Sequence, residues 1–526
     1  MATACNYPFK TASDEWKITY PEDKIVFKNA FLEDAAQSPV KSKRPNIVMI
    51  IVDDLGKAEV SAYGSNYMQT PNIDKFAEQG VKFTDCYVTS PVCSPSRASI
   101  LTGRYPNRFG FETQLMEYYP KNTMTYTIGK KMIKSDRNVL DTEPIYPHKE
   151  DIGKQGIPPS EITIAELLKT KNYNTAYIGK WHVGYAPELI PNNRGFDYQY
   201  GFYGAFTRYF EKKNTPGTVT YIQDIFTSRY QWKKGKRKGT SAILRNNVEI
   251  KEDRYLTDAF LDEAVDYMAD NKDKKDPFFL CVAFNAPHVP FQAAKKYYDM
   301  HTDTKDENKR VYYAMIHALD DAIGKLMNKM TAMGLDDNTL VFFISDNGAA
   351  TYTGATDNYP YKGGKMNWFE GGINVPFMVK WKGHISEGLV YDKPVSSMDM
   401  FGTIAEIADL KLPDDRIYDG VNLLPFINDT KKGYPHETLY WRADHFYAMR
   451  NKDWKFLMSK RDNWAELYQI SKDKYEHIDL KKENSDTLKT MLKDFNQWQK
   501  GLIDPLWPRL IDIKFVIDGK TYLFPS

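Results

Sequence analysis

Cys93 lies in the run Cys93-Ser-Pro-Ser-Arg97, whose residue types and spacing suit chemistry on an anion. The central proline and a later Gly103 predict a helix over Pro95–Thr102, with Cys93 at its entrance. The free N–H groups and the dipole of a helix N-terminus favour a tetrahedral anion there. Arg97, one turn into the helix, would neutralise charge beside Cys93. An ordinary buried cysteine before a proline-started helix fits the same run.

Polar side chains follow four of the five apolar runs that are typical of buried strands, each at the point where the run ends. In open α/β sheets, ligands bind outside the carboxyl ends of the strands, so these side chains are expected to meet in one crevice. The four polar endings are Asp53-Asp54, Gly179-Lys180-Trp181-His182, Pro287-His288 and Asp346-Asn347-Gly348.

Four residues of these endings, Asp53, Asp54, Asp346 and Asn347, carry hard oxygen ligands. Three carboxylates and one amide suit Ca²⁺ or Mg²⁺ and argue against Zn²⁺, which prefers His or Cys. A pair of aspartates after one strand is also typical of a turn or a helix cap. A second oxygen pair after another strand makes a metal site the better hypothesis.

Two lysines and two histidines complete the candidate set. Lys180 and Lys365 add cationic donors for the oxygens of an anion. His182 and His288 offer proton transfer. Each lysine taken alone fits a surface position, and each histidine alone fits a structural role. Their joint occurrence with the cysteine, the arginine and the oxygen ligands favours a catalytic site.

The elements that must position these residues follow from the pattern of apolar residues. Alternating strands and helices predict an α/β fold, in which a large, mostly parallel sheet is flanked by helices on both faces. The predicted strands are Asn46–Val52, Asn174–Ile178, Phe278–Phe284, Leu340–Ser345 and Pro376–Lys380. The predicted helices begin at Thr70-Pro71 and end at Gly80, begin at the capping box Thr163-x-x-Glu166, and cover Leu256–Met268 and Val311–Met333.

The pattern changes from about Gly433 onward, where short strand-like pieces precede an amphipathic stretch, Ser485–Trp498. This predicts a small α+β unit with a short antiparallel sheet. The expected organisation is an N-terminal extension over 1–44, a large domain over 45–432 and a small C-terminal subdomain over 433–526 that completes the cleft. The strand-like pieces are Thr438–Trp441, Phe446–Arg450, Lys455–Met458 and Glu466–Gln469.

Two segments without a clear period, roughly 113–159 and 192–253, interrupt the large domain. Long insertions of this kind are usually surface loops that shape a site, or solvated ornament. The second insertion contains a basic run over 233–238. A solvated face is the plain interpretation of such a run, and contact with an anionic polymer is the alternative.

The composition is globular, with 42% hydrophobic residues and 71 basic against 69 acidic residues. A net charge of +2 gives no general case for nucleic acid or an anionic membrane. The 36 tyrosines and 10 tryptophans fit sugar stacking as well as ordinary surface positions. Four cysteines give little disulfide framework. No stretch of about twenty apolar residues would span a membrane, and the first forty or so residues lack the apolar core of a signal peptide.

In order and combination, these motifs resemble the formylglycine-dependent sulfatases of the alkaline phosphatase superfamily. In that family a maturation enzyme oxidises the cysteine of Cys-x-Pro-x-Arg to formylglycine. One departure is visible, because the family usually has Arg-Val-Pro after Gly-Gly and here Asn374 precedes Val-Pro. The motifs that carry the resemblance are Pro45-Asn46-Ile47-Val48, Asp53-Asp54, Cys93 to Arg97 with Leu101-Thr102-Gly103-Arg104, Gly179-Lys180-Trp181-His182, Pro287-His288, Ser345-Asp346-Asn347-Gly348, and Lys365 with Glu370-Gly371-Gly372.

The resemblance implies a mechanism for sulfate ester hydrolysis. The hydrated aldehyde derived from Cys93 attacks sulfur in line, in a pocket where Arg97 and Lys180 help to neutralise charge. His288, with Lys365 nearby, protonates or stabilises the departing alcohol oxygen. His182 then removes a proton from the second hydroxyl, which expels sulfate and regenerates the aldehyde. An unmodified cysteine lacks that second hydroxyl, so the oxidation is required.

The resemblance also implies cofactors and partners. Calcium would be held by the four oxygen ligands at the ends of the two strands. A formylglycine-generating enzyme or an anaerobic maturase would act on Cys93. A periplasmic or secreted location is expected by analogy with bacterial members of the family.

Two alternatives to this function stay open. A formylglycine-dependent phosphonate or phosphodiester hydrolase would share the fold, since function is decided by the site rather than by the fold. Two lysines and two histidines fit a sulfate monoester better. A catalytically silent protein that binds sulfated glycans, with unmodified Cys93, is the alternative from another class. The complete set of candidate catalytic residues argues against it.

The resemblance to bacterial polysaccharide sulfatases, the aromatic content and the basic run predict a sulfated oligosaccharide or polysaccharide, such as carrageenan, ulvan or fucoidan. Glycosaminoglycans stay open as substrates. Aromatic side chains from the second insertion and the small subdomain would stack on sugar rings, and cations would pair with a second sulfate or a carboxylate. The candidates for these contacts are Tyr203, Arg208, Tyr209, Trp441, Arg442 and His445.

Overall fold

The computed structural model describes residues 13–40, 43–117, 119, 138–140, 146–223 and 226–526, with only the backbone of 138–140 and 226–227. Several parts of the chain lie outside the described residues. They are residues 1–12, with Cys5, and 41–42 of the predicted N-terminal extension, residues 118, 120–137 and 141–145 of the first insertion, and residues 224–225 of the second.

All five predicted strands are present, and the first has the predicted bounds. The strands, numbered in chain order, are β1 (Asn46–Val52), β2 (Val81–Phe83), β3 (Cys86–Tyr87), β4 (Asn138–Leu140), β5 (Asn174–Lys180), β6 (Tyr198–Phe202), β7 (Thr218–Tyr221), β8 (Leu244–Arg245), β9 (Val248–Glu249), β10 (Phe278–Ala283), β11 (Phe291–Ala294), β12 (Thr339–Ser345), β13 (Phe377–Lys380), β14 (Leu389–Tyr391), β15 (Val395–Ser396), β16 (Thr438–Ala443), β17 (Phe446–Asn451), β18 (Trp454–Ser459), β19 (Trp464–Gln469), β20 (Ile511–Ile517) and β21 (Lys520–Pro525).

Each predicted helix is also found. The helices, numbered in chain order, are α1 (Glu22–Ala36), α2 (Pro71–Glu78), α3 (Cys93–Thr102), α4 (Lys149–Ile152), α5 (Ile164–Lys169), α6 (Phe226–Lys234), α7 (Leu256–Asn271), α8 (Lys295–Tyr298), α9 (Glu307–Ala332), α10 (Glu370–Ile373), α11 (Asp399–Ile407), α12 (Leu424–Ile427) and α13 (Ser485–Trp498). Within the described ranges, none of them is both long and apolar enough to cross a membrane.

A ten-stranded sheet in the order β14-β2-β13-β12-β1-β10-β5-β6-β8-β9 forms the centre of the fold. The five strands from β12 to β6 run parallel to one another. β13 runs antiparallel to β12, so the last predicted strand does not extend the parallel run. The sheet is therefore mostly parallel, as the alternation of strands and helices predicts.

Helices cover both faces of this sheet because its central strands are apolar on both sides. On β1, Ile47, Met49 and Ile51 pack into a core shared with α3, α5 and α11. The alternate residues Val48 and Ile50 pack into a second core with α2, α7 and α9. The two cores hold the central strands in place, and their polar carboxyl ends extend beyond the apolar layers.

The capping box predicted at Thr163 is present at the start of α5. The Thr163 hydroxyl accepts from the Glu166 N–H at 3.2 Å, and a Glu166 carboxylate oxygen accepts from the Thr163 N–H at 2.7 Å. Lys28 of α1 pairs with the same glutamate and donates to the Pro159 carbonyl at 3.0 Å. The described part of the N-terminal extension is thus fastened to α5.

The C-terminal region contains a four-stranded antiparallel sheet, β16-β17-β18-β19, as the sequence predicts. One face packs against α13, where Met449, Phe456 and Phe495 form a small core. The other face carries Trp441 and Phe446 into the large core beside the main sheet. A further sheet, β21-β20-β4, joins the C-terminus to the described strand of the first insertion.

Candidate active site

The four strands that end in the predicted polar groups are neighbours, in the order β12-β1-β10-β5. Because they are parallel, Asp346, Asp53 and Lys180 emerge from the same edge of the sheet. Gly179 permits the close approach of β5 to β10, since a Cβ there would lie 1.9 Å from the Ala283 carbonyl oxygen. The predicted convergence of the strand ends is therefore present.

Helix α3 delivers Cys93 to this edge. The helix begins at Cys93, two residues earlier than predicted, and all ten of its residues are buried. It ends at Gly103, which adopts the left-handed conformation with φ 67°. Cys93 thus occupies the first position of a buried helix, where unpaired N–H groups favour an anion.

The Cys93 thiol lies among charged groups. The Lys365 ammonium is 3.0 Å from Cys93 Sγ, and the thiol donates to an Asp53 carboxylate oxygen at 3.4 Å. Burial raises the pKa of the Cys93 thiol to about 12, against the opposing effect of Lys180 and Lys365. The unmodified side chain is therefore a neutral thiol near pH 7, and a neutral thiol is a weak nucleophile.

Two oxygens in this cluster are suited to hold a metal ion. Asp54 Oδ2 and Asn347 Oδ1 are buried and have no hydrogen-bond partner among the described residues. Buried polar atoms are normally paired, so such orphaned oxygens are typical of ligands for a cation. The ligand atoms of Asp53, Asp54, Cys93 and His288 also lie within 4.8 Å of one another. The oxygens of Asp53, Asp54 and Asn347 fit a hard divalent cation, and Cys93 and His288 add one sulfur and one nitrogen to the group.

Asp346, the remaining predicted ligand, is shared with the helix. Its Oδ2 accepts from Arg97 Nε at 2.7 Å, and its Oδ1 accepts from the Asp54 N–H at 3.4 Å. Burial and the neighbouring Asp53 carboxylate raise the pKa of Asp346 to about 6. Arg97 also donates to the Lys180 carbonyl at 2.7 Å, so one guanidinium ties α3 to the ends of β5 and β12.

The two predicted lysines are both in the cluster. The Lys180 ammonium donates to Asp53 Oδ2 at 2.7 Å, and the Lys365 ammonium donates to Asp54 Oδ1 at 2.6 Å. Burial disfavours ionisation of Asp53, but Lys180 and the other cations outweigh it and hold the Asp53 pKa well below its usual range. The Asp54 carboxylate likewise outweighs burial and raises the pKa of Lys365. Each of these four buried side chains therefore faces an opposite charge.

Both predicted histidines face the same space. Burial and the Lys365 ammonium lower the pKa of His288 to about 4, and its Nε2 lies 3.7 Å from Asp54 Oδ2. His288 Nδ1 is 2.6 Å from the Val289 carbonyl oxygen, which orients the ring. Burial holds the pKa of His182 well below its usual range, and neither ring nitrogen has a hydrogen-bond partner among the described residues.

Comparison with known proteins identifies the family to which this chain belongs. The sequence model of the family described as Sulfatase matches residues 45–410. This chain belongs to the sulfatase family. A second model, for the C-terminal region of N-sulphoglucosamine sulphohydrolase, matches residues 364–501. The protein is a sulfuric ester hydrolase of the alkaline phosphatase superfamily, and the alternative of a catalytically silent glycan-binding protein is set aside.

Relatives and solved structures agree with this assignment. The sulfatase is 32% identical over 431 residues to N-acetylgalactosamine-6-sulfatase of Rattus norvegicus, with 81% of this chain and 74% of that protein covered. It is 34% identical over 407 residues to the Homo sapiens protein of the same name, with 77% and 69% covered. A crystal structure of Ps i-CgsB in complex with k-i-k-neocarrahexaose is 33% identical, with 88% of this chain and 95% of that chain covered and a TM-score of 0.73.

Asn374 stands where the family usually has arginine, and in this sulfatase a lysine from another segment contacts it. Lys57, which is buried, donates to the Asn374 side chain and to the Thr84 carbonyl. Asn374 in turn donates to Glu370 at 2.8 Å. Burial lowers the pKa of Lys57 to about 8, with Asp85 opposing this effect. A lysine from a distant segment therefore brings a cation to the place where the family usually has arginine.

Two of the predicted sugar contacts are wrong. Tyr209 is fully buried, and its hydroxyl donates to the carbonyls of Asn285 at 2.5 Å and His288 at 2.9 Å. Trp441 is 2% exposed and donates through Nε1 to the Val88 carbonyl at 2.8 Å. Neither ring offers a face to a sugar, because both lie inside the cores of the sulfatase.

The cationic side chains of the same set have protein partners. The Arg208 guanidinium donates to the Trp232 carbonyl and stacks on the Trp232 ring at 3.8 Å. Arg442 pairs with the buried Glu112. His445 Nδ1 lies 3.0 Å from the Ser459 hydroxyl. The three side chains are therefore already engaged in contacts within the protein.

Tyr203, the last of the set, is 6% exposed, and its hydroxyl lies 3.5 Å from Asn247 Oδ1. The sequence missed the role of one tyrosine, since Tyr209 anchors the backbone of His288 through its hydroxyl. Nothing in the sequence separates Tyr209 from the other tyrosines, because this role depends on a distant segment.

Proposed function

We propose that this sulfatase releases sulfate from a sulfated carbohydrate, with a formylglycine formed at Cys93 and a calcium ion bound beside it. The observation that carries the proposal is the pair of orphaned buried oxygens, Asp54 Oδ2 and Asn347 Oδ1, next to the buried cations around Cys93. Asp53 and Asp346 would complete the ligand set. When bound, calcium supplies positive charge to the oxygens of the sulfate group.

The charge balance of the site supports a sulfate ester. Arg97, Lys180 and Lys365 face the three carboxylates of Asp53, Asp54 and Asp346. Six formal charges therefore cancel, and a divalent cation would leave an excess of positive charge. That excess suits an anionic ester, whose oxygens would accept from the two ammonium groups.

The modified Cys93 would provide the nucleophile, because the thiol itself is held neutral by burial. Oxidation to an aldehyde supplies, after hydration, one hydroxyl that attacks sulfur and a second that allows sulfate to leave. Lys365, 3.0 Å from Cys93 Sγ, is placed to hydrogen-bond the oxygen that replaces sulfur.

The two histidines divide the proton transfers. His288 Nε2 and Lys365 Nζ both face Asp54, and we assign them to the departing alcohol oxygen. His182, with two unpaired ring nitrogens among the described residues, would accept the proton of the second hydroxyl. His182 and Asp54 have left-handed backbones, with φ of 57° and 65°, a conformation that side chains other than glycine adopt at a cost.

The carbohydrate class of the substrate is supported by the neighbours. The solved Ps i-CgsB structure holds a neocarrahexaose, and the curated relatives include N-acetylgalactosamine-6-sulfatases of Rattus norvegicus and Homo sapiens. A sulfated oligosaccharide or polysaccharide, of the carrageenan type, is therefore the proposed substrate.

The C-terminal subdomain, residues 433–526, is proposed to complete the cleft. Lys514 and Val516 of β20 line one cavity of about 420 Å³ together with Thr351 and Tyr352, near the Cys93 site. We further propose a periplasmic or secreted protein that is matured by a formylglycine-generating enzyme or an anaerobic maturase.

The test is sulfate release from defined sulfated oligosaccharides by protein produced with a maturation enzyme. Peptide mass spectrometry checks the modification, since conversion of thiol to aldehyde lowers the mass of the Cys93 peptide by about 18 Da. Release from carrageenan-type oligosaccharides, in proportion to the converted fraction, is expected. Turnover of phosphodiesters but of no sulfate ester would contradict the proposal.

A further inference from the structure

A cavity of about 350 Å³ lies beside the Cys93 site and takes no part in the chemistry proposed there. Its volume is within the range of small-molecule pockets. Segments from both insertions and the segment after His182 form its walls. Its lining includes Leu115, Glu117, Tyr185, Phe206, Lys234 and Lys238.

Two lining residues connect this cavity to the catalytic residues. The Phe206 ring lies parallel to the His288 ring, with 6.4 Å between the centroids and 13° between the planes. The Leu115 N–H donates to the hydroxyl of Ser94, the residue after Cys93, at 3.2 Å. The cavity therefore adjoins His288, the residue assigned above to the departing alcohol oxygen.

Tyr185 provides a hydroxyl for a ligand. This oxygen is buried and has no hydrogen-bond partner among the described residues. A buried hydroxyl is normally paired, because an unpaired one loses its hydrogen bonds with water. Tyr185 lines the cavity, and a sugar hydroxyl bound beside its ring would satisfy this oxygen.

The basic run over 233–238 is divided by the fold. Arg237 turns inward and donates to the Tyr209 carbonyl at 2.6 Å. Lys234 and Lys238 instead line the cavity. One carboxylate, Glu117, lines it as well and accepts from the Thr240 hydroxyl. Two ammonium groups against one carboxylate favour an anionic ligand that also carries hydroxyls.

From this geometry we infer that the cavity is a subsite for the sugar unit next to the one that loses sulfate, and that Lys234 and Lys238 bind a second anionic group on that unit. The second anion is a sulfate ester or a carboxylate. The inference rests on the proposed carbohydrate substrate and assigns a function to the second insertion that Arg208 and Tyr209 do not fulfil.

The test compares the double variant Lys234→Ala/Lys238→Ala with the charge-matched control Lys233→Ala/Lys236→Ala, whose exposed side chains do not line the cavity. Substrates are oligosaccharides with one sulfate, with two sulfates on adjacent units, or with one sulfate and an adjacent uronate, together with a small aryl sulfate. We expect the cavity variant to raise KM for one doubly anionic oligosaccharide about tenfold, whereas the control raises it less than twofold.

The pattern across substrates identifies the second anion. A selective loss on the disulfated oligosaccharide indicates sulfate, and one on the uronate-containing oligosaccharide indicates carboxylate. Equal losses on all substrates, equal losses in both double variants, or no loss in either would overturn the inference.

Tyr185→Phe gives a second readout, because it removes only the orphaned hydroxyl. The KM for the oligosaccharide is expected to rise severalfold while Tm does not fall, since no protein hydrogen bond is lost. A lower Tm with unchanged KM would show a purely structural tyrosine and count against the subsite.

Failure of the proposed function is distinguished by binding. If the wild-type protein cleaves the aryl sulfate but no saccharide, the same oligosaccharides are titrated calorimetrically into Cys93→Ser protein with and without the lysine substitutions. Weaker binding after the lysine substitutions supports the subsite independently of turnover. Identical binding, or no binding to either protein, overturns it.

Discussion

Two clusters of buried charge share one short segment of the chain and differ in how their polar atoms are paired. Lys365 belongs to the cluster around Cys93, and Glu370, five residues later, belongs to a second cluster centred on Lys455. We call them the Cys93 cluster and the Lys455 cluster. All of these side chains are inaccessible or nearly so.

In the Lys455 cluster every charged group faces an opposite charge, and one carboxylate oxygen, Glu476 Oε1, lacks an aligned hydrogen bond. The Lys455 ammonium lies 2.8 Å from Glu370 Oε1 and 2.8 Å from Glu476 Oε1, the latter as an ion pair without hydrogen-bond alignment. Glu476 Oε2 accepts from the Glu370 N–H at 2.6 Å, and Glu370 Oε2 accepts from the Tyr87 hydroxyl at 2.8 Å. This cluster fastens the C-terminal sheet to the segment that carries Lys365.

The Cys93 cluster leaves several atoms unpaired, including Asp54 Oδ2, Asn347 Oδ1 and both nitrogens of His182, as judged from the described residues. Unpaired buried atoms cost stability, so a fold retains them where a ligand will pair them. Burial and charge are common to both clusters. The number of unpaired polar atoms distinguishes the Cys93 cluster, the candidate active site, from the structural Lys455 cluster.

The largest expected effect concerns the nucleophile. In protein made with a maturation enzyme that oxidises only cysteine, Cys93→Ser leaves a single hydroxyl in place of the two-hydroxyl nucleophile, so kcat should fall at least about a thousandfold. The volume changes little, and the free energy of unfolding should stay within about 1 kcal/mol of the wild-type value. Sulfate release and urea unfolding measure the two quantities. Wild-type turnover by this variant would show that the nucleophile lies elsewhere.

The next effect concerns the metal ligands. Asp54→Asn keeps the shape of the side chain but removes a charge from the proposed calcium site, so turnover should fall about a hundredfold or more. Calcium binding, measured by titration calorimetry on metal-depleted protein, should be lost with it. Asp337→Asn, an exposed aspartate that pairs with Lys382 before the start of β12, serves as the control. Unchanged calcium affinity in Asp54→Asn would contradict the assigned site.

A substitution in the Lys455 cluster should affect stability more than turnover, the reverse of the effect expected in the Cys93 cluster. Lys455→Met leaves two buried carboxylates without their cation, which should lower the free energy of unfolding by about 3 kcal/mol. The folded fraction should lose less turnover than Asp54→Asn, because Lys365 is displaced only indirectly. Urea unfolding and kcat per folded molecule separate the two effects. A stability equal to wild type would show that the ion pairs contribute nothing.

The smallest expected effect is a pH dependence. Burial, aided by Glu370, raises the pKa of Glu476 to about 7 in the folded protein from its ordinary 4.5. The folded state therefore holds this proton more tightly, so its contribution to stability is complete below about pH 4.5 and is lost as pH rises through 7. Glu476→Gln cannot titrate. Its stability relative to wild type should rise between pH 5.5 and 7.5, on the order of 1 kcal/mol.

Urea unfolding of both proteins at the two pH values measures this difference. Parallel changes in the wild type and in Glu476→Gln would mean that Glu476 does not titrate in this range.

Local rules were sufficient to predict the central elements and the convergence of the proposed catalytic residues at one edge of the sheet. Apolar runs located β1 and the other central strands, and the capping box at Thr163 located α5. Because parallel strands present their carboxyl ends at one edge, the polar residues after four of these runs converge, as predicted. The direction of β13 was not predictable, since an antiparallel edge strand has the same apolar pattern as a parallel one.

Tertiary structure alone decided which residues with suitable chemistry reach the site. Tyr209 and Trp441 are aromatic like any sugar-binding side chain, yet both are enclosed by elements distant in the sequence. The Lys455 cluster joins residues more than eighty positions apart, and the cavity beside His288 brings Tyr185 near Lys234 and Lys238. Periodicity and spacing determine which face of an element is apolar. Which other element covers that face is settled only when the whole chain packs.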